Sequence, residues 1–97
     1  MLDLPQDQLM LVRGILRLHL PHAQAWAFGS RVNGRARKFS DLDLAIDAGA
    51  PIDDTTLVLL KDDFVESDLP IKVDVLDLHQ ISESFKRIIL AQRVSLV

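Results

Sequence analysis

Residues 41–47 run Asp41-Leu42-Asp43-Leu44-Ala45-Ile46-Asp47, and this alternation constrains the fold more than any other stretch of the chain. In a β-strand, successive side chains point to opposite faces. Leu42, Leu44 and Ile46 then form a face that must be packed, while Asp41 and Asp43 project side by side from the other. The pattern predicts a strand over 42–47 in a sheet with a core face and an acidic face. Two like charges held that close repel unless a cation lies between them. Carboxylate oxygens suit Mg²⁺, which commonly takes one or two of them together with phosphate oxygens of a substrate.

Gly29 and Ser30 stand before this strand, with ten residues separating Ser30 from Asp41. Glycine lets backbone N–H groups approach phosphate oxygens, and a short helix beginning there would aim its positive end at them. Ser30 adds a hydroxyl donor. Between Ser30 and Ser40 lie Arg31, Arg35, Arg37 and Lys38, with no acid among them. A local cationic loop can attract phosphates. The same loop also reads as a solvated surface segment. Arg31 and Lys38 are the cations expected to offset phosphate charge. Gly34 permits a tight bend, as a plain turn residue or as part of the site.

The rest of the chain reads as alternating elements. Leu9, Val12, Leu16 and Leu20 recur at helical spacing after Pro5, with Ile15 widening the stripe, and Pro21 ends the helix. Residues 23–28 read as a short buried strand containing Trp26, stopped by Gly29. Asp53 to Glu66 reads as a helix with acids in its first turn and Leu57, Leu60 and Phe64 as its buried stripe. Ile71 to Leu78 is a third strand: Ile71, Val73 and Val75 face one way, Lys72, Asp74 and Leu76 the other. Ser82 is placed to cap a last helix with Phe85, Ile88 and Ile89 toward the core. The last four residues, 94–97, form an extended tail or finish that helix. The expected class is α/β (α+β): a small mixed β-sheet with helices packed on one side, in a single domain over 1–97.

Chemistry follows from these placements. Transfer of a nucleotidyl group concentrates negative charge at one phosphorus, and metal ions neutralise it and lower the pKa of the attacking hydroxyl. Two carboxylates bridging two ions, with a third acid on one ion, make a sufficient ligand set. Asp41 and Asp43 supply the first two. Asp74 is the expected third, because it interrupts an apolar strand where a bare carboxylate is costly. Asp77 competes, but it lies on the opposite face and near the strand end, where solvation is easier. His19, His22 and His79 show no metal-ligand spacing and read as surface or satisfied histidines.

Composition narrows the field. The chain has 97 residues, no cysteine, and 14 acidic against 11 basic side chains, for a net charge of −3. That balance argues against general nucleic-acid binding. No apolar run approaches the ~20 residues of a membrane span. The N-terminal MLDLPQDQ lacks the pattern of a signal peptide, so cytoplasmic residence is the default expectation.

The strings GSRVNGRARKFSDLDLAID and SDLPIKVDVLDLHQISESFKRII resemble the two halves of the minimal nucleotidyltransferase family, small members of the DNA polymerase β-like superfamily. The likeness runs from about Phe28 to Ile89. It implies the superfamily's palm-like core, with Asp41, Asp43 and Asp74 as catalytic, metal-binding acids. Gly29 and Ser30 would take the phosphate positions, flanked by Arg31 and Ser40 in nucleotide binding. It further implies Mg²⁺, with two ions in the active complex, and ATP as substrate. Family members often pair with an all-helical HEPN-domain protein in toxin–antitoxin modules of the type VII kind. There the nucleotidyltransferase is the antitoxin, in some cases transferring AMP to a toxin tyrosine. In other members the helical partner has been regarded as a substrate-binding subunit. So short a chain leaves little to shape an acceptor pocket, and the expectation is that another protein presents the acceptor. Two other readings stay open: an antitoxin acting by contact alone, and a nucleotidyltransferase for a small molecule such as an aminoglycoside.

Overall fold

Strand β2 (Leu42–Asp47) sits at the centre of the sheet and organises everything around it. The structure, a computed structural model, describes residues 2–97. The chain opens with α1 (Gln6–His19), followed by β1 (Gln24–Phe28), the single turn α2 (Ser30–Asn33) and then β2. Helix α3 (Asp54–Glu66) crosses to β3 (Val73–Asp77). A 3₁₀ turn over Leu78–Gln80 leads to α4 (Glu83–Ala91), and β4 (Val94–Ser95) closes the chain.

The strand order is β3-β2-β1-β4. β1 pairs antiparallel with both β2 and β4, whereas β3 runs parallel to β2. The parallel pair needs a crossover, which α3 provides. The mixed sheet is therefore the expected one, with a short fourth strand added. The tail joins the sheet: Leu96 N–H donates to Ala25 O at 2.8 Å, and Arg13 Nε of α1 donates to Leu96 O at 2.8 Å.

One face carries the main core. Leu42, Leu44 and Ile46 are fully buried there, against Val12 and Leu16 of α1 and Leu60 and Phe64 of α3. Each such side chain contributes about 1.5–3 kcal/mol relative to exposure. α1 starts after Pro5, which takes the cap position rather than the first turn. Asp53 caps α3, accepting from Thr56 N–H at 3.0 Å and Thr56 Oγ1 at 2.7 Å. His19 pairs with Asp63, tying the end of α1 to α3.

α4 departs from the one-sided expectation. Its Ile89 packs with Ala45 and Leu78, and with Trp26, Phe28 and Leu76 at the margin, on the opposite face of the sheet. Small Ala45 in β2 leaves room for this contact. Ser82 caps α4 through Phe85 N–H as expected. Phe85 and Ile88, however, are 39% and 70% exposed rather than core. The physical reason is that α4 meets only part of a small sheet, so one side of its apolar stripe overhangs the acidic face. Trp26 is half-buried, with the Arg93 guanidinium 5.2 Å from its ring centroid. No helix among the described residues is long and apolar enough to cross a membrane.

Candidate active site

The acidic face of β2 lies where three elements meet. Register places Asp43 directly opposite Phe28 of β1 and directly abreast of Asp74 of β3. Gly29 follows Phe28, so the turn after β1 lands on the Asp43 carboxylate. A Cβ built on Gly29 would overlap Asp43 Oδ2, which shows how closely backbone and acid approach. Gly29 has φ +77° and ψ −151°, a conformation essentially reserved for glycine. Its carbonyl accepts from the N–H groups of Val32 and Asn33 and so starts α2. The first N–H groups of any helix lack intrahelical partners, which leaves the amides around Ser30 at the mouth of this turn. Gly34, at φ +81°, ends α2 in the left-handed region and accounts for the expected bend.

Asp43 feels the other two acids. Burial raises the Asp43 carboxyl above its usual range, and the negative charges of Asp74 and then Asp41 raise it further. Asp41 is exposed, just ahead of β2. Asp74 is half-exposed and pairs with Lys72 Nζ at 3.3 Å, an interaction that solvent screens to little net worth. Among the described residues, no three His, Asp or Glu side chains are already gathered into a finished metal cage. The donor chemistry nevertheless fits a hard divalent cation: a desolvated carboxylate, two flanking carboxylates, and mutual repulsion that a cation would relieve.

Two expected nucleotide ligands, Arg31 and Ser40, make hydrogen bonds within the loop. Arg31 is only 5% exposed, and its guanidinium donates to backbone carbonyls: Ser40 O at 2.9 and 3.0 Å, Asp3 O at 2.9 Å and Lys38 O at 3.2 Å. The Arg31 guanidinium is thus engaged with backbone carbonyls of its own loop and of the N-terminal segment. Ser40 is likewise engaged in the loop, its Oγ accepting from Arg37 N–H at 2.8 Å. Lys38 is exposed, with its ammonium 5.3 Å from the Phe39 ring centroid.

Asp77 also needs correction. It faces away from Asp74, as the alternation predicts, but it is 5% exposed rather than easily solvated. Its carboxylate accepts from Ile52 N–H at 2.7 Å, Gln80 Nε2 at 2.7 Å and His79 N–H at 2.9 Å. Burial alone would raise its pKa, but these hydrogen bonds outweigh burial and hold it below the usual value. Asp77 therefore fastens the loop before α3 to the end of β3. Asp77→Ala leaves buried donors unpaired and is expected to cost at least about 1–3 kcal/mol, read as a lower urea midpoint. Activity per folded molecule should stay near wild type. His79 is also accounted for, with Nε2 2.7 Å from Asp47 Oδ1.

A cavity of about 720 Å³ opens along β3, with Asp43 and Asp74 in its wall. Phe28 and Phe85 line it, packed edge to face with ring centroids 6.4 Å apart. The apolar spacing of α4 assigns Phe85 to the core, and the structure places it at this cavity instead. The signal available was the parity of β1, which puts Phe28 on the same face as Asp43.

The sequence profile of the family described as polymerase beta, nucleotidyltransferase matches residues 13–97. The chain belongs to this family, and by that membership it is a nucleotidyltransferase. It is 49% identical over 88 residues to a probable protein adenylyltransferase, MntA, of Haemophilus influenzae, covering 91% of this chain and 77% of that protein. A chain of a toxin–antitoxin solved with AMP-PNP superposes with a TM-score of 0.78 at 26% identity, covering 92% of this chain and 72% of that one. A mutant MntA–HpeT toxin–antitoxin gives a TM-score of 0.76 at 23% identity, over 97% of this chain and 73% of that one, and shares the fold.

Proposed function

We propose that this chain transfers AMP from ATP to a hydroxyl of a partner protein, as the antitoxin of a toxin–antitoxin pair with a helical HEPN-domain toxin. The observation that carries the reading is the placement of Asp43, wedged against Gly29 and abreast of Asp74. That geometry sets the Gly29–Ser30 turn directly beside the carboxylates, which supports reading the turn as the phosphate site. The 49% identity to a probable protein adenylyltransferase, and the fold shared with a toxin–antitoxin chain solved with AMP-PNP, support the choice of ATP and of a protein acceptor.

Gly29 and Ser30 receive the triphosphate through backbone N–H groups and the Ser30 hydroxyl. The acceptor oxygen forms a bond to the α-phosphorus, the α–β bridging P–O bond breaks, and pyrophosphate leaves with the electron pair. The acceptor proton passes to a carboxylate of the site. Asp41, Asp43 and Asp74 would hold Mg²⁺, two ions in the active complex, which when bound supplies charge neutralisation at the phosphorus.

The deciding experiment incubates the chain with α-labelled ATP, Mg²⁺ and a candidate HEPN-domain partner protein, in parallel with Asp41→Ala/Asp43→Ala. Label on the partner that vanishes in the double variant is the expected result. Neutralisation that survives the double substitution with no label at any stage leaves contact alone as the mechanism.

A second expectation concerns stability. Mg²⁺ with AMP-PNP, at about one hundred times its Kd, should stabilise the chain by about 2.7 kcal/mol. For a chain of this size that is a rise in Tm of roughly ten degrees or more by thermal scan. Asp41→Asn/Asp43→Asn should abolish the rise.

A further inference from the structure

We infer that Arg31 is a positioning residue that holds Asp41 in place through the backbone, without touching the nucleotide. The inference rests on the reading of Asp41 as a ligand of the reaction centre.

Asp41 lies outside β2 and its side chain is exposed, so neither strand pairing nor packing alone fixes it. Its backbone is nevertheless anchored on both sides. Leu42 N–H, which follows it, donates to Lys72 O at 2.9 Å. The Ser40 carbonyl belongs to the peptide bond that leads into Asp41, and it accepts a fork from Arg31, Nε at 3.0 Å and Nη2 at 2.9 Å. The Nη2 group also donates to Lys38 O at 3.2 Å, and Ser40 N–H closes the turn by donating to Arg37 O at 3.0 Å. One guanidinium thus gathers the loop that ends at Asp41.

Arg31 is itself fixed. It is the second residue of α2, one step beyond Ser30, and its N-terminal side is the Gly29 turn. The N-terminal segment braces it twice: Asp3 N–H donates to Arg31 O at 2.7 Å, and Arg31 Nη1 donates to Asp3 O at 2.9 Å. Among the described residues, the ion pairs join His19 to Asp63, Lys72 to Asp74 and His79 to Asp47, and none involves Arg31. Its charge is matched to carbonyl dipoles instead. The Gly29–Ser30 turn and Asp41, remote from each other along the loop, are thereby set at a constant separation. A lysine keeps the charge but not the planar fork, so it cannot grip one carbonyl twice while reaching two others.

The test uses the full chain carrying Arg31→Lys, with Arg31→Gln as a second variant whose amide still donates to one carbonyl. Three quantities are read: amide hydrogen exchange, affinity for AMP-PNP with Mg²⁺, and kcat for labelling of the partner. For Arg31→Lys, exchange over residues 37–42 should quicken about 10-fold or more while β1 and α3 keep their protection. kcat should fall about 10²-fold, the usual effect of a small misplacement at a reaction centre. AMP-PNP affinity should stay within about threefold, since no uniform binding is removed. A large loss of AMP-PNP affinity with unchanged exchange and kcat makes Arg31 a phosphate ligand and overturns the inference. Unchanged exchange together with unchanged kcat overturns it too, as does global unfolding of both variants. A wild-type chain with no transfer activity would count against the proposed reaction, while the exchange measurement would still decide the role of Arg31.

Discussion

Asp43→Asn is expected to lower the rate of AMP transfer to the partner by at least about 10³-fold while leaving the fold intact. The magnitude comes from the several kcal/mol of charge stabilisation that metal-held carboxylates supply, at about 1.36 kcal/mol per tenfold. The fold should survive because asparagine has the same shape, and because the native environment disfavours the charge at this position. Burial, then Asp74, then Asp41, push the Asp43 carboxyl upward. The linkage has a definite sign. With its folded pKa above the unfolded value of 3.8, the metal-free native state binds more protons than the unfolded chain between those two values. The Asp43 contribution to stability is therefore fully present below the unfolded pKa and is lost as pH rises through the folded one. Urea midpoints taken from about pH 4 to about pH 7 without metal should show this decline in the wild type, relative to Asp43→Asn. The comparison matters because Asp77 and Asp47 are shifted downward and give the opposite trend in both proteins. Wild-type transfer by Asp43→Asn would remove Asp43 from the chemistry.

Gly29→Ala should damage stability and activity together. The backbone at φ +77°, ψ −151° costs a non-glycine residue about 1–3 kcal/mol. The new methyl also overlaps Asp43 Oδ2, and the flexible partner in that clash is the carboxylate proposed to act in transfer. Asp43 must turn away, and a displacement of that kind costs about 10²-fold in rate. The loss of stability should appear as a drop of roughly 4–8 °C in Tm per kcal/mol. Gly34→Ala is the matched control. Gly34 has φ +81°, but a methyl added there would meet nothing within 4 Å, so this variant should lose roughly 1–2 kcal/mol of stability with transfer per folded molecule unchanged. Equal loss of activity in the two variants would show that strain, rather than the clash with Asp43, is responsible.

What could be read in advance followed from periodicity. The alternation in β2 and β3 has a period of two, so the faces of Asp43, Asp74 and Asp77 were all deducible from residue order alone. The helical stripes of α1 and α3 were legible for the same reason. What periodicity does not carry is where a long side chain turns. Arg31 sits in a run of cations, and only the three-dimensional loop shows its guanidinium folded inward onto carbonyls. Asp77 looked solvated because β3 ends there, whereas the loop before α3 folds back over it. β4 is two residues long, too short for any pattern, and exists because β1 offers it an edge. α4 carries an apolar stripe that marks a buried side without saying which face of the sheet receives it.

The division of β2 by parity has one last consequence, for quality control. Leu42, Leu44 and Ile46 of the core alternate with Asp43 and Asp47 along one central strand. A register slip of a single residue would turn Leu42, Leu44 and Ile46 outward and drive Asp43 and Asp47 into the core. No compact state survives that exchange. A molecule paired in the wrong frame therefore fails to fold at all, and does not persist as an inert look-alike. Among folded copies, having the core assembled and having Asp43 on its face are the same event.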